Sequence, residues 1–223
     1  MTDSLDLKPL FPLPDVVLFP RTLLPVHIFE PRYRLMTAEA LRGDREICLA
    51  LLKPGWETDY YGSPEVYPVA CVGKIVQHEE LADGRFNLVL HGETKVLIEG
   101  FERETPYRVA RLRPVNDDAG WLTTPTVGQD AANLVRLFGR FHAGDGMALA
   151  LGEMFGAHMS PEAILNTVAM NLGVDAEIKE RLLAVESLGA RYRAVVRILE
   201  EASTTQERID LFRHLHPRDS RQN

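Results

Sequence analysis

Hydrophobic and polar positions follow two different rhythms along this chain. Up to Val115 the apolar residues come in short runs with a period near two, which predicts β-strands. After Thr124 the period lengthens to about 3.6, which predicts amphipathic helices. The stretch between them, Asn116–Thr124 (NDDAGWLTT), is polar and contains a glycine, as linkers do. The pattern predicts an α+β fold, with a β domain over residues 1–116 and a helical domain over residues 117–223.

Prolines divide the opening segment into short elements. Pro9–Met36 (PLFPLPDVVLFPRTLLPVHIFEPRYRLM) contains six prolines, and proline neither donates to a β-ladder nor continues a helix. We therefore predict one short strand at Val16–Phe19 and another at Leu24–Phe29, with a proline at the start of the second. A helix is expected over Pro31–Arg42, because proline suits the first helical position and Gly43 is a natural stop.

The remaining elements follow from the same two periods. Further strands are predicted at Glu46–Leu52, Val66–His78, Arg85–Gly92, Lys95–Phe101 and Tyr107–Val115. Helices are predicted from Thr126 toward His142, from Ser160 to about Gly173, from Asp175 to about Val185, and over Leu188–Ala202 and Thr204–His214. Gly73 marks a bulge or a close approach of another segment. Short strands bounded by proline suit a barrel-like sheet whose strands turn corners.

Composition and charge narrow the class of protein. The 223 residues are 45% hydrophobic and carry a formal net charge of −7, and such a surface repels phosphate backbones. The sequence opens without a basic and then apolar leader, and no apolar run approaches the roughly 20 residues that cross a bilayer. We therefore expect a cytoplasmic protein that contacts no membrane, with nucleic acid as a disfavoured partner. Cys48 and Cys71 lie in apolar strands and are predicted to be reduced core thiols.

The motifs of common catalytic sites are missing from the sequence. The chain has no GxxxxGK[ST] loop, no GxSxG turn and no HExxH helix, since His78-Glu79-Glu80 lacks the second histidine. Adjacent acids such as Asp117 and Asp118 point apart, so they do not form a paired-carboxylate site by themselves. We therefore predict no catalytic residue, no metal site and no cofactor.

A polar cluster follows the second predicted strand. His27 lies close in sequence to Glu30 and Arg32, and a hydrogen-bonded structural role or an anchor at a binding groove would each explain it. Glu30 and Arg34 are four residues apart and are expected to form an ion pair that pins the helix to the sheet. The alternative is a recognition patch beside Tyr33.

These residues resemble a known family. The run FPLPDVVLFPRTLLPVHIFEPRYRLM, and PVHIFEPRYR within it, is similar to the opening of the LON substrate-binding domain, the N-terminal domain of ATP-dependent Lon protease. The block VACVGKIVQHEELADGRFNLVLHGETKVLIEGF is similar to its glycine-containing strand, hairpin and following strand. The chain departs from the family where a basic, aromatic Arg-Arg-Phe-Arg is common, because Thr94-Lys95-Val96-Leu97 stands there. The resemblance is strong over residues 8–115 and looser beyond.

The resemblance implies a fold and a role. The fold would be a PUA-like β pseudo-barrel followed by a C-terminal helical bundle. The chain resembles the stand-alone bacterial form of the domain, without the ATPase or the Ser-Lys protease part. The implied role is non-enzymatic binding of unfolded or exposed apolar protein segments, with a protease as a further partner.

Client binding requires an exposed apolar groove or a free strand edge. The expected lining residues are Phe29, Tyr33, Arg34, Trp56, Tyr60 and Tyr61. A cleft between the barrel and the helices is the default location. The alternative for the loop aromatics is a loop folded back on its own rings. Two other functions stay open at this point, an RNA-binding protein and a small-molecule-binding protein or enzyme.

Overall fold

The computed structural model describes residues 6–60, 62–141 and 159–215, which form a mixed sheet followed by helices. The strands are β1 (Asp6–Leu13), β2 (Leu23–Ile28), β3 (Glu46–Leu51), β4 (Val69–Glu80), β5 (Phe86–Arg103) and β6 (Val109–Pro114). The helices are α1 (Pro31–Arg42), α2 (Val127–Phe141), α3 (Pro161–Met170), α4 (Ala176–Ala184) and α5 (Leu188–Leu215), with short 3-10 helices at Trp56–Asp59 and Gly120–Thr123. None of the helices in these ranges is long and apolar enough to cross a membrane.

Five of the six strands close into a ring. The strand order is β2-β5-β4-β3-β1-β6, and an additional pairing between β5 and β6 joins the two ends of the ring. Strand β5 is 18 residues long, so its first part pairs with β2 and its last part pairs with β6. Strand β2 is therefore attached outside the ring and forms an edge.

Strand β1 was not predicted, because Pro9 and Pro12 lie inside it. Its neighbour changes between the two prolines: residues 6–9 pair with β6, and residues 10–13 pair in parallel with β3. The backbone N–H of Leu10 donates to the carbonyl of Arg108 (2.8 Å), so the nitrogen of Pro12 faces the same side, where the pairing has ended. The nitrogen of Pro9 faces the other side, where pairing has not yet begun. Each proline therefore costs the ladder no hydrogen bond.

The predicted strand at Val16–Phe19 is wrong. The segment is irregular, but Val17, Leu18 and Phe19 are buried. It lies so close to β5 that a Cβ on Gly92 would be 2.0 Å from the carbonyl oxygen of Phe19, which only glycine permits. The apolar run correctly indicated that these side chains are buried. They are buried by an irregular backbone that forms no β-ladder.

Glycine also accounts for an irregularity in the sheet. The prediction at Gly73 is confirmed, since the β4–β5 register shifts there and a Cβ would meet Leu18 at 2.8 Å. The buried segment before β2 and the bulge in β4 therefore fit together, which shows why the two features occur in the same fold.

Helix boundaries were predicted well where a capping signal is strong. Helix α1 spans the predicted Pro31–Arg42, and the Ser160 side chain caps α3 by accepting from the N–H of Ala163 (3.2 Å). The predicted start at Thr204 is wrong, because α5 runs unbroken through it. A capping box within a continuing helical pattern does not by itself begin a new helix.

The helices pack on one side of the ring through a shared apolar core. Val17, Phe19 and Leu51 from the sheet half join residues of the helices in one buried cluster, which includes Trp121, Leu134, Phe138, Leu165, Val168, Leu183, Val195 and Leu199. Val195 and Leu199 form part of the buried face of α5. The two cysteines, Cys48 and Cys71, are buried and free in β3 and β4. Burial raises the pKa of both thiols well above the ordinary range.

A buried polar network crosses the same interface. Arg191 of α5 is fully buried and donates to Asp117 (2.7 Å), to the side-chain oxygen of Asn166 (2.8 Å) and to the carbonyl of Leu182 (2.8 Å). Asn166 in turn donates to the carbonyl of Pro20 (3.0 Å). Lys95 of β5 is also buried and pairs with Asp117, so this strand residue is structural here.

Candidate functional site

An open cleft lies on the outer face of β2, β5 and β4, and we call it the outer cleft. It has a volume of about 380 Å³ and is lined by Pro25, Val26, His27, Gln77, His78, Glu79, Asn87, Leu88 and Val89. Large apolar side chains are exposed on the same strands: Leu23 is 51% and Val76 is 53% exposed. An apolar rim on an open sheet face is a feature of surfaces that bind other molecules.

The backbone of β2 has one free edge. Thr22 and Gly92 form a hydrogen-bonded pair, so the strand's hydrogen-bonded positions opposite β5 are residues 24 and 26. Leu23, Pro25 and His27 therefore direct their backbone groups away from β5. Pro25 lies inside this edge strand rather than at its start, where the sequence had placed it, and an edge tolerates proline.

Exposed and buried side chains alternate at the end of the second strand. Ile28 is buried, whereas His27 and Phe29 are exposed, and Phe29 is 59% exposed. The two exposed rings stack with their centroids 6.2 Å apart. Phe29 therefore extends the apolar surface of the outer cleft beyond the end of β2.

The polar side chains of the outer cleft bond to one another across the strands. The Nδ1 of His27 and the Oδ1 of Asn87 are 2.8 Å apart, and Asn87 donates through its amide nitrogen to Glu79 (2.9 Å). Among the described residues the predicted cluster of His27, Glu30 and Arg32 divides in two, because His27 approaches Asn87 and Arg85 (3.4 Å) whereas Glu30 and Arg32 bond to each other. Residues 27 and 30 lie on different elements, and the partner of His27 is opposite it on β5, which sequence proximity does not reveal.

Glu30 and Arg32 form a second polar group, next to the Trp56–Asp59 turn. Arg32 donates to Glu30 (3.1 Å) and to the carbonyl of Tyr60 (3.1 Å), and the Tyr60 hydroxyl donates to Glu30. Burial and this hydrogen bond raise the pKa of Tyr60 to about 12. The predicted ion pair of Glu30 with Arg34 is wrong, because Glu30 is the extended N-cap residue (φ −69°, ψ 137°) and lies outside the helix. Arg34 instead donates to the carbonyl of Gly84 (2.6 Å).

The predicted aromatic residues do not form one surface. Tyr33 is buried, with its ring edge against Phe11 (4.8 Å between centroids). Trp56 and Tyr60 are half-buried and pack on each other (5.5 Å), which is the self-folded loop described as the alternative. Tyr61 lies outside the described residues. Of the predicted set, Phe29 is the aromatic residue that the structure leaves widely exposed.

A second cleft, which we call the Arg108 cleft, lies between the loop before β4 and the last part of β5. It has a volume of about 320 Å³ and is lined by Ser63, Pro64, Glu65, Val66, Pro68, Ile98, Glu99, Gly100, Phe101, Glu104 and Arg108. Arg108 also lines a small neighbouring cavity of about 20 Å³ together with Arg32 and Tyr33, room for about one water molecule. No local signal in the sequence indicates this cleft, because its walls come from segments far apart in the chain.

The described residues bring together no group of three or more His, Cys, Asp or Glu side chains that could hold a metal ion. The fold is a mixed α/β fold in which a closed ring of five strands is followed by a set of helices. Open clefts lie on the sheet, as in proteins that bind other molecules. The chain belongs to the family of the ATP-dependent protease La (LON) substrate-binding domain, whose sequence profile it matches over residues 8–201.

Relatives and solved structures agree with this family. The chain is 24% identical over 200 residues to Lon protease of Desulfosudis oleivorans, covering 89% of this chain and 24% of that protein. It thus spans about a quarter of the length of the curated relatives it matches. Its fold is similar to the N-terminal domain of Mycobacterium avium complex Lon protease (TM-score 0.67, 15% identity, 87% of this chain and 98% of that one). It is also similar to a Lon N-terminal domain protein of Xanthomonas campestris (TM-score 0.59, 18% identity, 89% and 98%).

Proposed function

We propose that this protein is a non-enzymatic module that binds exposed apolar segments of other proteins in its outer cleft. The observation that carries the proposal is the set of exposed apolar side chains on the strands of that cleft, Leu23 and Val76, with the exposed ring of Phe29 just beyond the end of β2. Burying such side chains against a client contributes roughly 25 cal/mol per Å² of apolar area. Membership of a substrate-binding family supports the same role.

The edge of β2 adds a backbone contribution of limited length. An extended client segment can pair with the groups that Leu23 and His27 direct outward, as in β-strand addition. Pro25 has no N–H, so the middle of this edge offers only a carbonyl. The client is therefore held mainly by side chains in the cleft, and the interrupted edge protects the protein from pairing with its own copies.

The wider role follows from the same proposal. The clients are unfolded protein segments, and the context is a Lon-type protease that degrades them. The closed ring corresponds to the PUA-like pseudo-barrel, and the helical half from residue 117 onward supports the ring through the shared core. Glu79 in the outer cleft and the net charge of −7 disfavour nucleic acid as the ligand.

The test is fluorescence anisotropy of a labelled, permanently unfolded apolar segment, without ATP and at two salt concentrations. We expect saturable binding with a dissociation constant of about 1–100 μM. It should survive high salt, because apolar contacts are not screened. Leu23→Asp and Val76→Asp should each weaken binding about tenfold. Leu7→Asp is the matched control, since Leu7 is 48% exposed on β1, far from the outer cleft in the strand order.

Two results would redirect the proposal. Equal losses in the Leu7 variant and the cleft variants would show that binding is non-specific. A loss in Trp56→Ser, with full binding in the cleft variants, would move the site to the loop aromatics near Tyr60. Absence of binding at protein concentrations above the upper end of the expected range of dissociation constants, about 100 μM, would contradict the client-binding function altogether.

A further inference from the structure

Arg108 is a buried arginine at the floor of a cleft. It is 6% exposed and directly precedes β6, and its carbonyl receives the ring-closing hydrogen bond from Leu10. Its side chain lines both the Arg108 cleft and the small cavity beside Tyr33. The guanidinium therefore lies where a molecule entering the cleft would meet it.

The described part of the chain provides no hydrogen-bond acceptor for the Arg108 guanidinium. Among the residues that the structure describes, none accepts a hydrogen bond from it, and its close contact is with the ring of Phe101, 5.5 Å from the centroid. Tyr33, Glu104, Arg32 and Asp59 contribute to the field at its position, and burial lowers its pKa. Arginine has five N–H donors, and the Arg108 nitrogens are not among the described buried atoms that lack a partner, so they are open to the cleft and available to a ligand.

The carboxylates around the cleft are already bonded to other groups. Glu104 accepts from the Ser63 hydroxyl (2.6 Å). Glu99 pairs with Arg113 (2.6 Å), and Glu65 pairs with Lys53 (2.7 Å). These acidic groups make the rim unfavourable for a multiply charged anion such as a phosphate. A singly charged anion meets less repulsion, and a guanidinium binds a carboxylate through two parallel hydrogen bonds.

The rest of the cleft wall is apolar. Pro64, Val66, Pro68, Ile98 and Phe101 surround the space that the guanidinium faces. A ligand that fits must therefore combine one negative charge with an apolar group next to it. Small-molecule and peptide sites commonly have this composition, an apolar lining with one placed charge.

We propose that the Arg108 cleft binds a single carboxylate joined to an apolar group, as presented by the C-terminus of a protein chain that ends in an apolar residue. The carboxylate accepts two hydrogen bonds from the guanidinium, and the apolar side chain contacts Pro64, Val66 and Phe101. An internal Asp or Glu beside an apolar residue offers the same chemistry from a second source. The proposal rests on the proposed function in that the ligand is a protein segment.

The test uses N-acetyl-leucine, with N-acetyl-leucinamide as its uncharged counterpart, and follows the Arg Nε–Hε signals of the protein by NMR. We expect N-acetyl-leucine to shift the Arg108 signal with a dissociation constant of about 1–10 mM. The amide should bind at least tenfold more weakly. In the variants, binding is followed by the backbone N–H signals of Val66 and Phe101, which line the same cleft. Arg108→Met should abolish binding, Arg108→Lys should weaken it, and Arg111→Met is the matched control, because Arg111 on β6 is paired with Glu102 (3.0 Å).

Peptides then separate the two sources of carboxylate. A peptide ending in Leu with a free carboxylate should compete with N-acetyl-leucine, and its amidated form should not. Competition by an amidated peptide with an internal Glu would assign the cleft to acidic side chains instead. No shift of the Arg108 signal with any of these probes, in a protein that still binds the unfolded segment, would overturn the carboxylate site alone. Loss of segment binding in the cleft variants of Leu23 and Val76 tests the proposed function separately.

Discussion

Two buried arginines on opposite sides of this protein have opposite surroundings. Arg191, at the interface between sheet and helices, donates to Asp117, to Asn166 and to main-chain carbonyls. Arg108, in the cleft on the sheet, contacts an aromatic face and finds no acceptor among the described residues. Arg191 is fully buried and Arg108 is 6% exposed at the floor of a cleft, so the two differ in whether the described residues or the cleft face the guanidinium.

The difference separates a structural role from a functional one. A guanidinium whose donors are satisfied holds the segments that satisfy it, and Arg191 thereby joins the linker at Asp117 to helices α3 and α5. A guanidinium that faces a cleft without a protein acceptor stays available to a ligand, as Arg108 does. At the interface, the bonds of Arg191 fix the helices to the sheet. In the cleft, the guanidinium of Arg108 stays available to a ligand.

The largest effect is expected at the interface. Arg191→Met leaves Asp117 paired with Lys95 only and leaves the oxygen of Asn166 and several carbonyls without their donor. Breaking a buried ion pair by removing one partner typically costs about 3–5 kcal/mol. Urea unfolding should show a loss of that size in the free energy of unfolding. Arg197→Met is the control, because its exposed pair with Glu201 is worth less than about 0.5 kcal/mol. Equal losses in the two variants would contradict the structural role of Arg191.

Glu180 tests whether the buried ionisable groups of the helical half are stabilised by their surroundings. Glu180 of α4 is 3% exposed, and burial alone raises its pKa to about 7. The folded state therefore holds the proton more tightly than the unfolded chain, so stability falls as the pH rises from about 4.5 to 7 and is level above that. Glu180→Gln removes this slope. The free energy of unfolding of the variant, relative to the parent protein, should therefore be about 2 kcal/mol more favourable at pH 8 than at pH 5.

Thermal unfolding at several pH values measures the Glu180 effect. Glu177→Gln is the control, because Glu177 precedes it on the same helix and is half-exposed beside Arg181. An unchanged pH slope in the Glu180 variant would show that this carboxyl does not control it. Glu180 would then not be a destabilising buried charge in the helical half. The contrast between the satisfied groups there and the guanidinium of Arg108 would be sharper.

The smallest effect is expected at the cleft, and it has the opposite sign to that at Arg191. Arg108→Met removes a buried charge without an acceptor and keeps the apolar stem, so we expect stability to rise by about 1 kcal/mol. Urea unfolding of this variant beside Arg111→Met measures it. A loss of 2 kcal/mol or more, on the scale of a broken buried hydrogen bond, would place Arg108 with Arg191 as a structural residue.

The sequence predicted those elements whose signals are local. Proline at the first helical position and Gly43 after the last define α1, and Ser160 defines the start of α3. Strand β1 escaped prediction because its prolines are harmless only when the strand changes neighbours between them, which is a property of the whole sheet. The irregular Val16–Phe19 segment has the composition of a strand, yet its close approach to Gly92 excludes one.

The candidate site was less accessible to sequence reasoning. Phe29 was among the expected lining residues of an exposed groove, and the structure leaves its ring 59% exposed. Val76 belongs to the same face only because β4 and β5 pair there, with a bulge that no local signal locates. Arg108 and Arg191 have no signature in the sequence that distinguishes them from surface arginines. Only the packing shows that the two are buried and that just one of them is satisfied.

Ring closure has a consequence for the order of events during synthesis. Strand β1 is made first, but its residues 6–9 have no partner until β6 has been made about a hundred residues later. The closing bond from Leu10 ends on the carbonyl of Arg108, so the Arg108 cleft takes its shape only after that long-range contact forms. A nascent chain therefore acquires the outer cleft, made from β2, β4 and β5, before it acquires the Arg108 cleft.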